Sequence, residues 1–88
     1  MDPAKELYFA LRAALSRSPN VPEDMNWDSM QGKVNHNRCR DFRLTVTLFR
    51  LYTFTGDWFS TERFARNSAA LRALDWMRSP DGKYWYAP

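Results

Sequence analysis

Few residues in this 88-residue chain could carry covalent chemistry. His36 is the single histidine and Cys39 the single cysteine, three positions apart. A thiol beside an imidazole can act as a nucleophile pair, because the base removes the proton and the thiolate attacks. Such a pair also needs a group to orient the base and donors to hold an oxyanion. Nothing nearby in sequence supplies them, so the two read as a connector histidine and a packed thiol. His36, Cys39 and Asp41 offer three mixed metal ligands at most, with no CxxC or HxxH pair to complete a tetrahedral site. Glu23, Asp24 and Asp28 read as a solvated acidic patch in a loop rather than an acid–base pair. The glycines stand apart at 32, 56 and 82, so no glycine-rich loop can cradle a phosphate. The expectation is a protein that is not an enzyme and carries no cofactor and no metal.

Binding chemistry is better represented. Residues 38–78 hold eight Arg against Asp41, Asp57, Glu62 and Asp75, a net of +4, while residues 1–37 sum to −1 and the tail is neutral. The basic stretch uses Arg alone, the residue suited to bidentate contact with carboxylate or phosphate and to stacking on rings. An Arg-rich composition also follows from a GC-rich genome. Arg38, Arg40 and Arg43 cluster at the start of the central stretch, and Arg63, Arg66 and Arg72 line its second half. With aromatics between them, these six are the nucleic-acid-binding candidates. The plainer alternative is a solvated helix face with local pairs such as Glu62–Arg66. The aromatic residues (four Trp, four Tyr, six Phe) exceed what one small core must hide. Two clusters read as protein-binding candidates: Trp58 with Phe59, and Tyr84, Trp85 and Tyr86 at the terminus. Tyr, Trp and Arg dominate binding hot spots. The plainer reading is that both clusters close the ends of the core.

The chain length fits one small domain. A single cysteine excludes an intrachain disulfide and suits a reducing compartment. Residues 1–17 carry charge throughout, unlike a signal peptide, and no uncharged run approaches the ~20 residues that span a bilayer. A cytoplasmic protein without membrane contact is the expectation.

These residues need elements to position them. Asp2 as N-cap, Pro3 and the stripe Leu7, Leu11, Ala14 and Leu15 predict a helix over about residues 3–17. A connector covers 18–36, with Met25, Trp27 and Met30 pinning it to the core. Residues 38–55 contain a conflict. Phe42, Leu44, Val46 and Leu48 alternate with Arg43, Thr45 and Thr47, the period of a half-buried strand. Yet the run lacks an internal turn residue, and the rest of the chain offers few pairing partners. A helix over about 38–55 is therefore favoured, ending at Gly56 as its C′ residue and forming an αα-hairpin with a helix over about 58–78. In that last helix Phe64, Ala70, Leu71, Leu74 and Met77 make the core face. Residues 79–88 form a C-terminal aromatic arm or short hairpin. The fold class is mainly α, three helices. The alternative is α+β, with residues 42–54 as strand.

The end of the chain resembles a winged helix-turn-helix protein. A helix finishing Leu71-Arg-Ala-Leu-Asp-Trp-Met77 is followed by the turn Pro-Asp-Gly-Lys and then Tyr84-Trp-Tyr86. The resemblance covers Ala70 to Tyr86 and implies a recognition helix with a wing. It departs from the family upstream, where residues 60–74 leave no room for two helices.

The expected function is non-enzymatic binding to another protein, as an inhibitor or adaptor of the kind phages and mobile elements encode. The alternative is a DNA- or RNA-binding regulator acting through the Arg-rich residues 38–72. Homodimerisation would also account for the surplus of aromatics.

Overall fold

Asp2 opens the first helix as expected: its carboxylate accepts from the Lys5 N–H at 3.0 Å, and Pro3 occupies the first turn. In a computed structural model, which describes residues 2–34 and 36–80, this helix α1 spans Pro3–Leu15. Ser16 ends it in the left-handed conformation (φ 58°). Leu7 and Leu11 are fully buried.

The chain beyond α1 overturns the mainly α, three-helix reading. The fold is α+β, with a three-stranded antiparallel sheet between two helices in chain order. The sheet consists of β1 (Met25–Val34), β2 (Arg40–Leu48) and β3 (Tyr52–Thr55), paired in that order. The expected helix over 38–55 is instead the β2–β3 hairpin, and much of the expected connector is β1. The alternating pattern of residues 42–48 therefore reports the structure correctly. Its partners were hidden in two ways. β1 reads Met-Asn-Trp-Asp-Ser-Met-Gln-Gly-Lys-Val, with one β-branched residue, so its pairing comes from β2 rather than from local propensity. The hairpin turn carries no Gly, Asn or Pro. Phe49 and Arg50 both take positive φ (55° and 59°), and the Leu51 N–H donates to the Leu48 carbonyl at 3.0 Å. That is a type I′ turn, whose twist matches the strands but which side chains other than Gly, Asn or Asp rarely enter. The Phe49 N–H also donates to the Asp24 carbonyl at 3.0 Å, and Phe49 packs on the core.

The register places one set of side chains on each face. Met25 opposes Leu48, Trp27 opposes Val46, and Phe54 and Tyr52 oppose Val46 and Leu48 from the other side. These face the helices, where Leu44, Val46 and Leu48 are fully buried. The other face is polar: Thr45 and Thr55 share a hydroxyl hydrogen bond at 3.0 Å, and Thr47 and Thr53 one at 3.4 Å. One covered and one solvated face is the usual state of an antiparallel sheet.

The second helix, α2 (Glu62–Arg78), starts later than the expected residue 58, with Thr61 as N-cap accepting from the Phe64 N–H at 3.3 Å. Its buried side is made of Ala65, Ala69, Ala70, Ala73, Leu74 and Met77. Alanines let its backbone lie close to the sheet. Trp76 flanks this contact, stacking on Tyr52 and Phe54 at 4.4 and 5.5 Å between centroids. Gly56 is no helix terminus and has no positive φ; it is buried where the chain leaving β3 passes under α2, and a Cβ there would stand 2.6 Å from the Ala69 nitrogen. The αα-hairpin is thus replaced by a strand exit pressed against a helix. The winged helix-turn-helix likeness lacks its helix pair, because α2 is one uninterrupted helix, and its wing falls on residues outside the described ones. The aromatic arm falls largely on residues 81–88, outside the described residues.

Candidate functional site

The connector between α1 and β1 is organised by Asp24. This carboxylate is buried and accepts from both terminal nitrogens of Arg17, at 2.6 and 3.3 Å, and from the Asn20 N–H at 2.7 Å. The Arg17 hydrogen bond, helped by Asn20, holds its carboxyl below the usual carboxylate range, and the same contact raises the Arg17 guanidinium. The expected acidic patch therefore dissolves: Asp24 is structural, and Glu23 lies 3.6 Å from Arg50 across the surface.

His36 and Cys39 stand in the exposed turn joining β1 to β2. The Cys39 thiol donates to the Asn37 carbonyl at 3.5 Å and is exposed, so the expected packed thiol is corrected. Among the described residues, no three His, Cys, Asp or Glu side chains gather to hold a metal ion.

The six arginine candidates separate into three settings. On α2 each has a carboxylate neighbour: Arg63 lies 3.8 Å from Asp2, Arg66 3.8 Å from Glu62, and Arg72 2.9 Å from Asp57. Arg43 is part-buried, with its Nε donating to the Gly56 carbonyl at 2.9 Å and its guanidinium 5.7 Å from the Trp58 ring. It braces the strand exit. Arg38 lies in the β1–β2 turn and Arg40 opens β2, both exposed. No single arginine face spans residues 38–72.

Trp58 and Phe59 likewise part company. They are sequence neighbours with different contacts. Trp58 lies against Gly32 and Arg43 beside the open face of the sheet. Phe59 pairs with Phe42 through two backbone hydrogen bonds (2.7 and 2.9 Å), and its ring lies 6.3 Å from that of Phe64. Tyr84, Trp85 and Tyr86 lie outside the described residues.

Sequence reasoning assigned Phe64 and Leu71 to the core, and the structure corrects this. Phe64 is 58% exposed and Leu71 47%, seven residues apart on the back of α2. Phe59, 38% exposed, adjoins Phe64, and Asp57 and Arg72 close one border. The sequence held a signal. The four alanines Ala65, Ala69, Ala70 and Ala73 mark one arc of the helical wheel with Leu74 and Met77, and Phe64 and Leu71 fall on the opposite arc. An aromatic groove of about 480 Å³ is lined by Ala4, Lys5, Tyr8 and Phe9 of α1, Trp27 of β1 and Arg66 of α2. Arg66 stands 5.7 Å over the Trp27 ring there.

Among the described residues, no helix is long and apolar enough to cross a membrane. No protein-family model, curated protein or solved structure gives a significant match to the chain.

Proposed function

We propose that the chain is a non-catalytic binding module that acts by docking on another protein through the back of α2. One observation carries this reading. α2 buries its alanines and presents Phe64 and Leu71, with Phe59 beside them, to solvent. Helices ordinarily do the reverse, because burying a Leu or Phe side chain contributes roughly 1.5–3 kcal/mol. An apolar strip bordered by Arg63, Arg72 and Asp57 has the composition of an interface: apolar anchors at the centre and charges at the rim. Such a module alters its partner by occupying a surface, as an inhibitor or adaptor does.

The test is Phe64→Glu combined with Leu71→Glu. Both side chains are exposed, so folding stability should change by no more than about 0.5 kcal/mol at each position. The wild type should form a stoichiometric complex with a host protein that the variant loses by at least about tenfold in affinity. If wild type and variant hold that partner equally, the back of α2 is not the interface. Sedimentation velocity on the purified wild type distinguishes the case in which a second copy is the partner.

A further inference from the structure

The β1–β2 hairpin outruns the rest of the sheet. β3 pairs with β2 only over Thr45–Leu48, and beyond Gly56 the neighbouring chain returns once, at the Phe42–Phe59 bridge. Past that bridge the hairpin is a two-stranded ribbon. Lys33, Val34 and residues 36–40 are all exposed. Its base is braced. The register slips by one residue between Gln31 and Val34, so β1 carries a bulge at Gly32 and Lys33. The Trp58 ring fills the space over Gly32, with its nearest carbon 3.2 Å from where a Cβ would stand, and Arg43 packs on the same ring.

The ribbon also carries positive charge without ion pairs among the described residues, as Lys5 and Arg12 do singly on α1. Residues 31–43 carry Lys33, Arg38, Arg40 and Arg43 against Asp41. The α2 arginines 63, 66 and 72 each meet a carboxylate within 4.0 Å, whereas Lys33, Arg38 and Arg40 form no ion pair among the described residues. Among the described residues, the Arg40 side chain meets only the neutral Gln31 Oε1, at 3.4 Å. Three cations on one exposed ribbon give it a positive field that an anionic partner would meet.

We infer that this ribbon binds duplex DNA, lying in the major groove with Lys33, Arg38 and Arg40 on the phosphates that flank it. Two strands about 4.8 Å apart, with their side chains, match a groove about 12 Å wide, and a two-stranded ribbon is one of the two elements that groove admits. The deep, narrow major groove of A-form RNA excludes it. The inference rests on residues separate from Phe64 and Leu71, so it stands or falls independently of the protein-docking reading.

Fluorescence anisotropy with the full chain and a labelled DNA duplex tests it. Three cations displacing counterions give a log–log salt slope of about −2.7, so raising salt from about 50 to 200 mM should weaken binding roughly 40-fold. Arg38→Ala and Arg40→Ala should each reduce the slope by about 0.9, and the triple variant with Lys33→Ala should abolish binding while its thermal midpoint stays unchanged. Phe64→Glu with Leu71→Glu should bind DNA like wild type. No binding at about 50 mM salt would overturn the inference, as would a triple variant that binds normally. An RNA duplex of the same sequence, or polyglutamate, bound as tightly as DNA would overturn it too. The first outcome would exclude the major groove, and the second would make the ribbon a general polyanion or acidic-protein site.

Discussion

Gly56→Ala tests the packing of α2 against the strand exit. Gly56 is buried and has no positive φ, so alanine is allowed there by the backbone. Only space forbids it. The new Cβ would stand 2.6 Å from the Ala69 nitrogen and 2.9 Å from both Cβ and Oγ of Ser68. The nearest of these is backbone and cannot swing aside, so α2 must lift. Overpacking of this kind costs about 1–3 kcal/mol. Lifting the helix also strains the Asp57 N–H to Ser68 Oγ bond (2.9 Å), worth about 1 kcal/mol. Alanine returns about 0.4–1 kcal/mol by restricting the unfolded chain. The net expectation is a loss of about 1.5–3 kcal/mol, or roughly 10–20 °C in Tm for a domain of this size. Gly32→Ala is the internal control. Its Cβ would meet a Trp58 ring carbon at 3.2 Å, on a side chain able to shift. Its cost should roughly cancel the unfolded-state gain, leaving Tm within about 3 °C of wild type. Thermal unfolding followed by circular dichroism, with urea midpoints as a check, measures both. A Gly56→Ala protein melting within about 3 °C of wild type would show that α2 does not press on the strand exit as described.

Two other perturbations have defined outcomes. Arg50→Asn should raise stability by about 0.5–1 kcal/mol, because Asn tolerates the left-handed conformation that Arg50 adopts at a cost near 1 kcal/mol, and the exposed Glu23 pair it loses is worth less; an unchanged urea midpoint would argue against strain in the turn. Acid stability should track Asp24. Its folded pKa is depressed, so its contribution is present above the unfolded value of 3.8 and is lost as pH falls through the folded value. The urea midpoint should hold from pH 7 to about 5 and fall below about 4, whereas Asp24→Asn should start lower at pH 7 and show a shallower acid limb. An identical pH profile in the variant would remove Asp24 from the account.

The sequence alone determined features that depend on neighbours along the chain. The α1 N-cap at Asp2 with Pro3 behind it, the buried stripe of Leu7 and Leu11, and a second helix ending at Arg78 were all legible, because caps and helical periodicity are local. So was the alternation of residues 42–48. Local signals could not settle whether that alternation had partners. β1 has little strand propensity of its own, and the hairpin turn at Phe49 and Arg50 uses a backbone conformation those residues disfavour. Both are decided by tertiary contacts: the pairing with β2, and the Asp24 carbonyl that receives the Phe49 N–H. Tertiary structure also sorted the candidate surfaces. It set Arg63, Arg66 and Arg72 beside carboxylates and turned Arg43 and Trp58 into braces. It placed Lys33, Arg38 and Arg40 on an exposed ribbon and moved Phe64 and Leu71 outside. Arginine and phenylalanine are chosen one residue at a time. Which of them meets a carboxylate, a ring or open water is settled only when distant segments pack.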